Sequence, residues 1–97
     1  MSRKRGFFVI TYDIPDDKRR LRVARLLERY GERVQYSVFE MYLSSAEWRR
    51  LRIRLLRVLQ LQEDQVRIYR LCPLCRAQIE VLGQGAPTSP PSVVQIV

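Results

Sequence analysis

The carboxylate of Asp13 is the most prominent candidate for chemistry in this chain. It follows the apolar run of residues 7–12 and precedes a turn that begins with Ile14 and Pro15. The sequence contains no histidine, which excludes nucleophiles activated by a histidine base. A carboxylate at the mouth of a buried strand costs desolvation free energy unless a cation meets it. The chemistry that this position favours is therefore hydrolysis assisted by a divalent metal ion.

One aspartate does not hold a magnesium ion with much affinity. Mg²⁺ commonly binds one or two carboxylates together with waters and the phosphate oxygens of a substrate. Asp16 and Asp17 are expected at a helix cap, so a second copy of Asp13 in a dimer is the better source of another carboxylate. Mg²⁺ (or Mn²⁺) bound there would activate water. The alternative is a structural role for Asp13 in the turn, and the residues alone leave both open.

The charge of the chain is strongly positive. Lysine and arginine total 18 against 10 acidic residues, which gives a net charge of +8 and a pI near 10.3. Sixteen of these basic residues are arginines, whose planar guanidinium groups bind phosphates bidentately. A nucleic-acid partner is therefore favoured over an acidic protein or a membrane surface. Arg19, Arg20 and Arg22 follow Asp13 closely and are candidates for phosphate contact, and the alternative is a solvated basic surface.

The apolar segments are too short for a membrane protein. No stretch approaches the roughly 20 residues that a bilayer span needs. The basic N-terminus is followed by a short apolar run that Asp13 interrupts, which is typical of a strand and not of a secretory signal. We therefore expect a cytoplasmic protein with Cys72 and Cys75 reduced.

The first half of the chain predicts a strand, a helix and a second extended segment. Residues 7–13 are apolar on both sides, which indicates a central strand. Asp16 or Asp17 caps the helix that follows, and Gly31 is placed to end it in the left-handed conformation. Residues 34–43 are extended, either as one bent strand or as two short ones, with Tyr36 expected in the core.

The second half predicts another helix and two more strands. Ser44 and Glu47 have the spacing of a capping box. The helix has a predicted buried stripe of Trp48, Leu51, Leu55, Val58 and Leu59 and an exposed basic ridge of Arg50, Arg54 and Arg57. Residues 65–71 and 79–82 are expected to be strands. The resulting fold class is α+β, and the nearest common architecture is a ferredoxin-like βαββαβ sandwich.

The C-terminal segment differs in composition from the rest. Residues 1–83 are expected to form the domain, and residues 84–97 a linker rich in glycine, proline and serine followed by a short apolar strand. An uncovered strand edge adheres to other chains. We therefore expect residues 93–97 to pair with the partner's sheet in a two-fold homodimer. The alternative is a tail that folds back on its own domain.

Two further groups of residues allow more than one interpretation. Cys72 and Cys75 could belong to a zinc or redox site, but zinc needs four ligands, so a tight turn packed by its thiols is preferred. Tyr12 and Phe39 lie close to basic residues in the sequence. They could stack on bases or pack in the core.

Four segments together resemble the CRISPR-associated endonuclease Two family, the small companion of the integrase in CRISPR spacer acquisition. They are residues 12–20 (YDIPDDKRR), 33–40 (RVQYSVFE), 64–69 (DQVRIY) and 72–75 (CPLC). The likeness runs from residue 7 to about residue 83.

The resemblance implies a ferredoxin-like fold and a symmetric homodimer whose terminal strands cross to the partner. It implies a magnesium-dependent endonuclease acting on RNA or double-stranded DNA, with Asp13 of each subunit binding the metal. Tyr12, Arg20, Arg22, Arg33 and Phe39 match positions associated with nuclease activity or nucleic-acid contact in the family. The same resemblance allows a second function, a dimeric DNA-binding scaffold that bridges integrase subunits without cleaving.

Overall fold

The computed structural model describes residues 4–89, in which strands and helices follow the order βαββαβ and a short helix comes last. The elements are β1 (Gly6–Asp13), α1 (Asp17–Glu28), β2 (Glu32–Gln35), β3 (Val38–Leu43), α2 (Ser45–Val58), β4 (Gln65–Leu71) and α3 (Pro73–Arg76). The predicted extended segment of residues 34–43 is thus two strands separated by a turn at residues 36–37. Both predicted long helices are confirmed.

The four strands form one antiparallel sheet in the order β2-β3-β1-β4. The strand β1 lies between β3 and β4, which confirms the central position predicted for residues 7–13. In this register Val9 faces Glu40 of β3 and Tyr69 of β4. Asp13, the last residue of β1, faces Gln65 at the beginning of β4.

The two long helices cover one face of this sheet. Side chains alternate along a strand, so Phe8, Ile10 and Tyr12 enter the core against the helices. Val9, Thr11 and Asp13 alternate onto the other face. The core cluster is completed by Ile14, Val23, Ala24, Leu27, Phe39, Met41, Leu43, Leu51 and Leu55. The sheet therefore has a helix-covered face and an opposite face, called here the open face, on which Asp13 lies.

Both helices begin at the caps that the sequence predicts. The Asp16 carboxylate accepts a hydrogen bond from the backbone N–H of Arg19 at 2.9 Å. Ser44 and Glu47 form a complete capping box, with the Glu47 N–H donating to Ser44 Oγ and the Ser44 N–H donating to Glu47 Oε1. Arg5 adds an ion pair to Glu47 at 3.0 Å. These contacts lower the pKa of Glu47 to about 2, chiefly because the Arg5 guanidinium donates to its carboxylate.

Gly31 has a different role from the predicted one. Positive φ angles occur within residues 4–89 only at Gly83 and Gly85, so the prediction of a left-handed Gly31 is wrong. A Cβ at residue 31 would lie 2.4 Å from the Cβ of Met41 and 2.5 Å from the carbonyl oxygen of Glu40. Glycine is needed there because the chain passes directly against β3.

Three more expectations are wrong. Tyr36 is 72% exposed because it lies in the turn between β2 and β3, not in the core. Residues 79–82 form no strand, since the N–H groups of Gln78 and Ile79 donate to the last carbonyls of α3. Both Cys72 and Cys75 are exposed, so they do not pack a turn; instead the Cys72 Sγ accepts a hydrogen bond from the Cys75 N–H at 3.5 Å and caps the short helix α3.

The described part of the C-terminal segment lies against its own chain. The Thr88 hydroxyl donates to Glu40 at 2.7 Å, and the Thr88 carbonyl accepts from Arg76 at 3.1 Å. The predicted strand of residues 93–97 lies outside the described residues, so its pairing stays a prediction. Within residues 4–89, no helix is both long and apolar enough to cross a membrane.

Candidate functional site

Asp13 is exposed at the end of β1, on the open face of the sheet. Its position follows from the central strand, which ends here because Pro15 cannot continue the hydrogen-bond ladder. No hydrogen bond or ion pair within residues 4–89 engages the Asp13 carboxylate. The carboxylate is therefore available to a cation that comes from outside this protomer.

Arg20 stabilises the turn that follows Asp13. Its Nη1 donates to the carbonyl oxygen of Ile14 at 2.8 Å, and its guanidinium also forms an ion pair with Asp17. The pKa of Arg20 is raised, mainly by its hydrogen bond to Asp17. The sequence-predicted Arg20 is thus close to the Asp13 turn, with 29% of its side chain exposed.

Tyr12, Arg33 and Phe39 form one cluster on the helix-covered side of β1 and β3. The Tyr12 hydroxyl donates to the carbonyl of Tyr36 at 3.3 Å. Arg33 donates to the same carbonyl at 3.0 Å and to the Tyr12 hydroxyl at 3.4 Å. Its guanidinium also lies over the rings of Phe39 and Tyr36, at 5.5 and 5.1 Å from their centroids. Three of the predicted site residues are therefore brought together.

Burial changes the interpretation of the two aromatic residues in this cluster. Phe39 has no exposed surface and packs against Tyr12 with 6.3 Å between ring centroids. A fully buried ring has no free face for a base, so Phe39 is a core residue, and its predicted contact with nucleic acid stays untested. Tyr12 is only 6% exposed, and its hydroxyl is held by Tyr36 and Arg33. Its predicted catalytic role stays a prediction.

Arg19 is engaged in an ion-pair network between α1 and the start of β4. It contacts the Asp64 carboxylate with two nitrogens, at 2.8 and 2.9 Å, and Glu63 at 3.0 Å. The Asp64 side chain has no exposed surface, and it also accepts from the Gln60 N–H. The Arg19 guanidinium holds the pKa of Asp64 below its usual value. These contacts give Arg19 a structural role, and its predicted contact with nucleic acid stays untested.

Sequence reasoning missed Arg67, which lies near Asp13, and it assigned Tyr36 to the core. Arg67 alternates with Gln65 along β4, so it lies on the open face beside Thr11 in the register of β1 and β4. Its Nε donates to the side chain of Gln65, the residue that faces Asp13. Tyr36 is the exposed aromatic residue next to Arg33. Neither could be found without the strand register and the position of the β2–β3 turn.

The described part of one protomer, residues 4–89, does not supply a full set of protein ligands for a metal ion. Within residues 4–89, no group of three or more cysteine, aspartate or glutamate side chains is placed to bind one. Asp13 is the free carboxylate at the end of the central strand, and Asp17 is already paired with Arg20. A metal at Asp13 therefore needs ligands from a second protomer, from water or from a substrate.

Comparison with known proteins gives consistent matches over most of the chain. The sequence profile described as CRISPR associated protein Cas2 matches residues 6–79. A Chloroflexus aurantiacus protein named CRISPR-associated endoribonuclease Cas2 1 is 52% identical over 82 residues, covering 84% of this chain and 88% of the relative. A Thermus thermophilus crystal structure is 46% identical with a TM-score of 0.77, covering 88% of this chain and 99% of the other. A chain in a structure titled partial Cas6-RT-Cas1–Cas2 complex is 30% identical with a TM-score of 0.70, covering 79% and 90%.

Proposed function

This chain belongs to the Cas2 family of CRISPR-associated proteins, and from that premise we propose that it is a metal-dependent endonuclease taking part in spacer acquisition. It cuts phosphodiester bonds in RNA or double-stranded DNA. The observation that carries the proposal is the exposed carboxylate of Asp13, which has no partner within residues 4–89 and lies at the end of the central strand. The name of the Chloroflexus relative, an endoribonuclease, supports the same activity.

Asp13 from each of two protomers holds the metal, Mg²⁺ or Mn²⁺. A free carboxylate fits this role because no internal ion pair has to be broken before a cation binds. When bound there, the ion would lower the pKa of a water molecule and offset negative charge on the phosphate. Arg20 stabilises the turn beside Asp13, while Arg67 on the same face as Asp13 contacts phosphates. Arg22 is exposed on α1, on the helix side of the sheet, so it does not face the Asp13 carboxylate.

Tyr12 and Arg33 act as positioning residues in this proposal. Tyr12 directly precedes Asp13, and its hydroxyl is held between Arg33 and the Tyr36 carbonyl. These contacts restrict the motion of the end of β1, and they thereby fix the direction of the Asp13 side chain. The exposed ring of Tyr36 takes the stacking role that was expected for Phe39.

The protein works as a homodimer with the ferredoxin-like architecture. Helices cover one face of the sheet, and the open face carries half-buried Val9 on the same strand as Asp13. A second copy packed on this face would bury apolar surface and bring two copies of Asp13 together. Residues 93–97 would add a strand to the partner. The proposed location is the cytoplasm.

A non-catalytic scaffold is the second candidate function. One observation favours it, the match to a Cas2 chain solved within a complex that contains Cas1. In this function the basic dimer would bridge integrase subunits and hold DNA without cutting it. The net charge of +8 on each chain is consistent with either function, because phosphate binding accounts for the arginines in both.

A cleavage assay on the Asp13→Ala protein tests the proposal. We expect wild-type protein to cleave matched RNA or duplex DNA as Mg²⁺ is titrated, and the variant to bind the same substrates without cleaving. Glu80→Gln removes one exposed carboxylate outside the site and should cleave as wild type. Cleavage by highly purified Asp13→Ala protein would show that the catalytic assignment is wrong. If the wild-type protein does not cleave at any metal concentration, the scaffold function is favoured.

A further inference from the structure

A groove between α1 and α2 is lined by five arginines. They are Arg22 and Arg25 from α1, Arg29 at the C-terminal cap of α1, and Arg54 and Arg57 from α2. The groove has a volume of about 380 Å³, and Leu26 and Val58 complete its lining. The residues of both helices that face the sheet are buried leucine, valine and alanine side chains, so the arginines lie on the outer side of the helix layer. We call this feature the arginine groove.

The spacing of the arginines in the sequence explains why they converge. Residues 22, 25 and 29 are three and four positions apart, so they share one face of α1. Arg54 and Arg57 share one face of α2 for the same reason. With a rise of about 1.5 Å per residue, the α1 arginines extend over about 10 Å along the helix. The arrangement is a short linear array of positive charge on both sides of an apolar floor.

Within residues 4–89, no acidic side chain neutralises this array. No carboxylate lines the groove, and none of the five guanidinium groups has a hydrogen bond or ion pair to the residues between 4 and 89. By contrast, Arg5, Arg19, Arg20 and Arg33 each have an acidic partner. Like charges at helical spacing repel one another. An anionic ligand seated in the groove would relieve that repulsion.

We propose that the arginine groove binds the phosphate backbone of a nucleic-acid strand. Guanidinium forks match phosphate oxygens bidentately, and a line of such forks suits a regular series of phosphates. The groove of about 380 Å³ is far smaller than a duplex, so one backbone strand would lie along it above Leu26 and Val58. That strand is either a single strand or one strand of a duplex lying along the rims.

This site goes beyond the proposed nuclease function because it lies on the helix side of the sheet, whereas Asp13 lies on the open face. Binding in the groove needs neither a metal ion nor Asp13. The chain would therefore hold nucleic acid on a surface separate from the one that cuts it. Arg22 is the member of the groove that was already expected to contact phosphate.

Salt-dependent binding to charge-matched variants tests the groove. Arg25→Gln with Arg57→Gln removes two charges from it, and Arg49→Gln with Arg52→Gln removes two exposed charges from α2 outside it. Binding to duplex DNA and to single-stranded RNA is measured in EDTA against NaCl concentration. The slope of log K against log[NaCl] is negative, and for the groove variant it should become shallower, by about 1.8 with duplex or about 1.4 with a single strand. The variant outside the groove should lose less than half as much.

The outcomes separate the groove from diffuse charge and from the nuclease proposal. A shallower salt slope in the groove variant alone, with either nucleic acid, supports the site. The charge-conserving variant Arg25→Lys with Arg57→Lys should keep the wild-type slope. Equal losses in both double variants, or no loss in the groove variant, would overturn it. Displacement of the nucleic acid by a polyglutamate peptide of equal charge would also overturn the proposal. Because EDTA removes the metal, these results are independent of whether Asp13 supports cleavage.

Discussion

Replacing Phe39 with leucine separates a core role from a nucleic-acid contact. The Phe39 ring has no exposed surface, stacks with Tyr12 and lies under the guanidinium of Arg33. An apolar replacement of similar volume costs less than about 1.5 kcal/mol. Loss of the aromatic pair and of the cation–π contact adds about 0.5–1 kcal/mol each. We therefore expect Phe39→Leu to lower the free energy of unfolding by about 2 kcal/mol, which a domain with about 5–15 kcal/mol of stability survives.

Phe8→Leu is the matched control. Phe8 is also buried, packs against the Trp48 ring at 5.3 Å and lies under the guanidinium of Arg70 at 4.9 Å. Urea denaturation should show similar losses for both variants. Binding of RNA and duplex DNA, measured where both proteins are folded, should match wild type. If Phe39→Leu alone loses tenfold or more in affinity while keeping its stability, Phe39 contacts nucleic acid and its assignment to the core is refuted.

Two further substitutions test contacts that stabilise the fold. The pKa of Glu47 is about 2 against an ordinary value of 4.5, so its stabilising effect is complete above about pH 4.5 and is lost as the pH falls towards 2. Glu47→Gln should therefore flatten the fall of Tm over that range and cost about 1 kcal/mol at neutral pH, since solvent screens its ion pair with Arg5. Gly31→Ala would place a Cβ 2.4 Å from a β3 side chain and should destabilise by about 1–3 kcal/mol in urea. The matched Gly6→Ala, with its nearest contact at 3.6 Å, should change stability little, and equal effects of the two alanines would contradict the close approach at Gly31.

Local signals in the sequence predict most of the fold. The unbroken apolar run before Asp13 indicates a central strand because only a strand covered on both faces needs it. Asp16 and the Ser44 and Glu47 pair mark both helix starts, since caps satisfy N–H groups within a few residues of themselves. These signals require no information about distant parts of the chain, and the structure confirms them.

The errors arise where the position of a residue depends on distant strands. Tyr36 fits the alternation of one continuous strand, but the turn at residues 36–37 breaks that strand and exposes its ring. Phe39 alternates with Met41 and Leu43 onto the buried side of β3, so this pattern indicates a core position for Phe39 despite the basic residues near it in the sequence. Residues 79–82 have a strand-like composition, yet α3 accepts the hydrogen bonds that begin the segment.

The candidate site was predictable only in part. Asp13 could be identified because the end of a central strand is a local feature. The contribution of Arg67 depends on the register between β1 and β4, which no short segment of sequence contains. Arg19 was grouped with the other arginines, because its partner Asp64 is 45 residues away in the chain.

A mixed dimer with one wild-type and one Asp13→Ala subunit tests the shared metal site most directly. The two subunits carry different affinity tags, the mixed species is purified, and its Mg²⁺-dependent cleavage is compared with that of both parent proteins. If two copies of Asp13 hold one ion, the mixed dimer should cleave no faster than the Asp13→Ala protein. Half of the wild-type rate would mean that each Asp13 acts by itself, which contradicts the shared site.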